Sequence, residues 1–94
     1  MLKVKLIKLE LEELQKRIQN KVNEDASLKD VYRRLETVIS ILDCMLITDD
    51  NAIIDAGSFI NILQENEVYN LYEIVSEMND DNRFEFIPRL CENY

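Results

Sequence analysis

The sequence predicts an all-α protein: a small bundle of four or five helices built on a long N-terminal antiparallel helical hairpin. Three observations carry that expectation. Apolar residues recur every three or four positions along most of the chain, the spacing that gathers them on one face of a helix. Gly57 is the only glycine and Pro88 the only proline, whereas sheets joined by tight hairpins draw on several glycines to supply positive φ angles. The 94 residues are 47% hydrophobic, enough apolar surface for one thin core and one domain spanning residues 1–94.

The first helix is expected over about residues 2–22. Val4, Ile7, Leu11, Leu14 and Ile18 form its stripe, widened by Leu6 and Leu9. Residues 2–6 also alternate like a strand, but with Phe84-Glu85-Phe86 as the one weak candidate to pair with, helix is the preferred reading. Asn23 to Ser27 makes a turn, with Ser27 as N-cap and Asp30 completing a loose capping box. The second helix, about 28–47, repeats Leu28, Val31, Leu35, Val38, Leu42 and Met45 in an a/d pattern for about three heptads. A second stripe, Ile41, Cys44 and Ile47, marks another apolar face, so this helix is expected to be central, with the C-terminal helices packed on it. The hairpin therefore covers about 2–47.

Shorter acidic helices follow over about 50–79. Ile53, Ala56, Ile60 and Leu63 give one stripe, which Gly57-Ser58 is expected to interrupt. A second stripe restarts at Val68 after a bend near Asn66. Asn79 to Asn82 reads as a loop, and 83–94 as a short helix or apolar tail that Pro88 keeps from being long.

Charge divides the chain. Residues 1–36 hold nine basic and seven acidic side chains, net +2. Residues 37–94 hold two basic and twelve acidic, net −10. The total of −8 opposes nucleic-acid binding, which needs a coherent basic face, while the lysines of the first helix are interleaved with Glu10, Glu12 and Glu13. Those glutamates also argue against a membrane-surface role for the amphipathic first eight residues. The longest nearly apolar run, Val38 to Ile47, is broken by Ser40 and Asp43 and falls short of the roughly 18 residues a membrane span needs.

Catalytic chemistry finds little purchase. Histidine is absent, which removes the usual general base, metal ligand and pH switch. Cys44 and Cys91 have neither metal-ligand nor redox spacing, and Cys44 reads as a small core residue. A single glycine cannot build a phosphate loop. The pairs Asp49-Asp50 and Asp80-Asp81 sit at helix boundaries, where aspartates cap and turn. Counted as calcium loops, they place Ile53 and Phe84 where an oxygen ligand is required. No cofactor and no metal are expected, and the protein is read as no enzyme. The chain begins without a signal peptide, which suggests the cytoplasm.

The expected function is that of a protein-binding regulator, inhibitor or adaptor that acts by occlusion through its acidic half, on a partner with a basic surface. The binding candidates are Asp49, Asp50, Asp55, Glu65, Glu67, Tyr69, Tyr72, Glu73, Glu77, Asp80 and Asp81, with Asp43, Glu85 and Tyr94 at the margins of the set. Two alternatives stand beside it. One is an acidic nucleic-acid mimic, in character like the phage proteins that block restriction or CRISPR enzymes. The other is a self-associating scaffold, a homodimer seamed along the wide stripe of the first helix. Against all three stands a solvated acidic face that serves solubility alone.

Overall fold

A computed structural model describes residues 1–68, 70–78 and 84–92. Among them the elements run β1 (Leu2–Lys3), α1 (Val4–Lys21), α2 (Ser27–Thr48), β2 (Ile53–Ile54), α3 (Ala56–Glu65), α4 (Leu71–Met78) and α5 (Phe86–Glu92). The small helical bundle and its N-terminal hairpin are as the periodicity predicts: α1 and α2 pack along their lengths. The expected loop Asn79–Asn82 lies outside the described residues.

Alternation at the extreme N-terminus does mark a strand, contrary to the helical expectation. Leu2 pairs with Ile54 and Lys3 with Ile53, antiparallel, so the partner is the segment after α2 and not Phe84–Phe86. Lys3 stays extended, and the Val4 N–H, one of the donors a helix start leaves without an intrahelical acceptor, bonds to the Ala52 carbonyl at 3.1 Å. The ribbon thus starts α1 where it starts.

The central helix is α1, not α2. Val4, Ile7, Leu11, Leu14 and Ile18 are all fully buried, with α2 on one side and α4 and α5 on the other. The α1 stripe itself is buried by its own chain, and of the residues that widen it Leu6 and Leu9 are exposed. On α2 only Leu35, Val38 and Leu42 are buried. Its second stripe is not covered: Cys44 is exposed, which corrects its reading as a core residue, and Ile47 is 85% exposed.

Local sequence chemistry differs from expectation at three further places. Ser27 opens α2 as a helical residue and does not cap it; the carboxylate of Asp25 accepts from its N–H and its hydroxyl at 3.0 and 2.7 Å. Gly57 and Ser58 do not break α3, because Asp55 caps it: its carboxylate accepts from the Ser58 N–H at 3.0 Å and the Ser58 hydroxyl at 2.6 Å. The second acidic helix begins at Leu71, not Val68, because α3 ends in a six-residue Schellman closure. The Val68 N–H bonds to the Leu63 carbonyl and the Glu67 N–H to that of Gln64.

The C-terminal helix is held by a side chain from the opposite end of the chain. The buried carboxylate of Glu10, on the margin of the α1 stripe, accepts backbone N–H bonds from Glu85, Phe86 and Ile87 at 2.5, 2.8 and 2.8 Å. The next residue is Pro88, which has no N–H to satisfy. Glu10 and Pro88 together account for the free donors of the first turn of α5. About two turns further along α1, Arg17 donates to the Met78 carbonyl and lies over the Phe84 ring at 5.1 Å.

Candidate protein-binding surface

The acidic residues fall into two groups once their local roles are seen. The first group has structural employment. Asp43 is ion-paired to Lys8 of α1 at 2.6 Å, which raises the lysine pKa and removes Asp43 from the free acidic surface. The Asp49 carboxylate accepts the Asn51 N–H at 3.0 Å, an Asx turn that carries the chain from α2 to β2. The cap on α3 holds Asp55 below the usual carboxylate range, through the Ser58 hydroxyl first and its N–H second. Asp49 and Asp55 sit at element boundaries, as turn and cap residues, and Asp43 sits within α2, where Lys8 pairs it.

The second group has no such role. The carboxylates of Asp50, Glu65, Glu73 and Glu77 are exposed and make no hydrogen bond or ion pair among the described residues. Tyr69, Asp80, Asp81 and Tyr94 lie outside the described residues. On α4 the buried face is Leu71, Val75 and Met78, which turns Tyr72, Glu73, Ser76 and Glu77 to solvent. Glu73 and Glu77 are four apart on this face, a like-charge spacing that works against the helix. Glu77 also lies in the last turn, at the negative end of the helix dipole, where α4 has no basic residue of its own and the one cation, Arg17 on the Met78 carbonyl, comes from α1. Helix stability therefore does not account for Glu77. Beside the pair stands Tyr72, 43% exposed, the one aromatic among the large exposed hydrophobics of the described residues.

Glu67 adds to this surface at a conformational cost. It occupies the left-handed position of the Schellman closure with φ of 59°, the place glycine fills most readily. Arg34 of α2 steadies it, donating to its carbonyl at 2.9 Å and facing its carboxylate at 3.4 Å. An exposed pair of this kind is worth well under the penalty for a side chain at positive φ. Glu67→Gly is accordingly expected to raise stability by about 0.5–1 kcal/mol, a rise of several degrees in the thermal midpoint. A melting curve by circular dichroism checks it, and an unchanged or lower midpoint would show that the side chain is there for stability after all.

A hollow of about 220 Å³ lies at the ribbon end, lined by Lys3, Lys5, Leu6, Asp50, Asn51 and Ala52. It is smaller than the roughly 300–1,000 Å³ of common small-molecule sites. Among the described residues no three histidine, cysteine, aspartate or glutamate side chains are grouped so as to hold a metal, and no helix is long and apolar enough to cross a membrane. No protein-family model matches the sequence, and neither the curated proteins nor the solved structures show a match to it.

The two features that sequence reasoning missed are both polar anchors on α1, Glu10 and Arg17. Glu10 gave one faint signal: with Ile7 three residues before it and Leu14 four after, it falls on the edge of the apolar stripe.

Proposed function

We propose that the protein is a non-enzymatic regulator, inhibitor or adaptor that occludes a basic surface of another protein. The outward face of α4 and the neighbouring acids Asp50, Glu65 and Glu67 make the contact. The observation that supports this reading most is the Glu73–Glu77 pair with Tyr72 beside it: two like charges one turn apart on the outward face of α4, next to an exposed aromatic ring. Acids of that kind steer a basic partner over distances of a Debye length, and a tyrosine supplies rigid contact area once docked. The mimicry of nucleic acid is the narrower form of the same reading, in which the basic surface is a nucleic-acid groove. The reading sets the interaction in the cytoplasm, where the exposed Cys44 thiol stays reduced.

The test is capture from an extract of the native host at low and high salt. Immobilised wild-type protein is compared with a Glu73→Lys/Glu77→Lys variant and with Tyr72→Ala. A basic protein retained by the wild type, lost with the charge reversal, weakened by Tyr72→Ala and released as salt rises is the expected result. Displacement of that partner by duplex DNA would select the nucleic-acid mimic. Identical proteins on all three resins, indifferent to salt, would overturn the reading.

A further inference from the structure

The two polar anchors of α1 meet the ends of two different helices. Arg17 donates to the carbonyl of Met78, the last residue of α4, and Glu10 accepts the first N–H groups of α5. Each charge suits the end it meets: a cation at the carbonyl end of one helix, an anion at the N–H end of the next. Both anchors stand on one side of α1, about 10 Å apart along its axis. Arg17 also lies over the Phe84 ring, so it holds the entry to α5 as well as the exit from α4. Glu13, one turn before it, braces its guanidinium at 3.5 Å.

The helices so held depend on each other. Of the helices around it, α4 packs most extensively on α5, and α5 most extensively on α4, with α1 second for α5. They are eight and seven residues long, too short for either to persist alone in water. The hairpin differs on both counts. Its helices run 18 and 22 residues and share the most extensive contact between elements among the described residues. Opening is least costly where elements are short and lean on few neighbours, and it takes contiguous elements together.

We infer that α4 and α5 form one flap, clasped onto α1 by Arg17 and Glu10, which opens as a unit while the α1–α2 hairpin stays folded. If either helix leaves, the other loses its main packing surface, and one anchor on α1 loses the backbone groups it serves. The outward face of α4 exists as a surface only while the flap is shut, so the clasp governs whether that face is presented. This last consequence rests on the reading of the α4 face given above. The flap itself does not, and its test needs no partner, so the capture experiment and this one can fail separately.

Amide exchange of the full chain, followed by NMR in water and in urea below the unfolding transition, tests it. Val75 inside α4 and Leu90 inside α5 should share one opening free energy with a shallow dependence on urea. Leu14 of α1 and Leu42 of α2 should exchange about tenfold more slowly or slower still, with the steep dependence of global unfolding. Glu10→Gln should speed Val75 and Leu90 by one common factor of about tenfold, although the bonds of Glu10 are to the backbone of α5. Arg17→Gln, at the α4 end of the clasp, should likewise speed Leu90 as much as Val75. Unequal opening free energies for Val75 and Leu90, a Glu10→Gln effect confined to α5, or flap amides that exchange no faster than Leu42 would each overturn the assignment.

Discussion

Glu10→Ala is expected to destabilise the protein by about 3–4 kcal/mol, a larger loss than most substitutions cause, because it strips three backbone donors of their acceptor at once. The Glu10 carboxylate is the cap of a helix that its own sequence cannot cap. Seven residues are too few for a helix to persist alone, and α5 survives because Glu10 takes the N–H groups of Glu85, Phe86 and Ile87. Those bonds are to a charged acceptor and are correspondingly strong. Alanine would leave the Ile87 N–H buried without a partner, and α5 would lose register with α1, α3 and α4. Glu10→Gln gives the sharper reading. Its one remaining oxygen can serve Glu85 and Phe86, while its NH₂ group meets the Ile87 N–H donor to donor. The glutamine variant should therefore fall between wild type and alanine. Urea denaturation measures the stabilities, and amide exchange at Ile87 locates the damage. Equal stability of all three proteins would show that Glu10 does not hold α5.

How much of this was legible beforehand depends on distance along the chain. The helices themselves follow from residue spacing, since the apolar residues of α1 and α2 repeat within each helix and need no remote information. Relations between elements were harder. The alternation at Leu2–Lys3 was visible, but its partner, Ile53–Ile54, was hidden in what reads as the start of a helical stripe. The wide apolar arc of α2 suggested a central helix, while the coverage went to α1, because periodicity reports which face is apolar and not which neighbour arrives to bury it. Glu10 reaches across 75 residues to its nearest bond partner, and no local pattern records such a contact. For the candidate surface, capping rules correctly placed Asp49 and Asp55 as turn and cap residues. They had nothing to say of Glu77 and Glu67, the one at the negative end of its helix and the other at a positive φ. Spacing alone groups Ile41, Cys44 and Ile47 in one stripe, but it does not tell that Cys44 and Ile47 end on the surface.

Phe59→Ala is the substitution expected to weaken the fold through packing alone, by about 3–5 kcal/mol. Phe59 is fully buried and is the largest of the fully buried side chains among the described residues. It stands one turn into α3, with Ile60 and Leu63 beside it, and α3 in turn packs on α5. Removing the ring leaves a cavity that the short α3 cannot close without shifting. Its N-terminus is fixed by the Asp55 cap and its C-terminus by the Schellman closure at Glu67. A domain of this size holds only about 5–14 kcal/mol in all, so the variant should lie near the edge of folding at room temperature. With a slope of about 1–3 kcal/mol per molar urea, the midpoint should fall by about 1 M or more. Phe59→Leu keeps most of the volume and should recover the greater part of the loss. A midpoint shift within the error of measurement for alanine would mean that α3 is not seated on the core, and the ribbon, the acidic turn before it and the α4 face after it would then lack the support described for them.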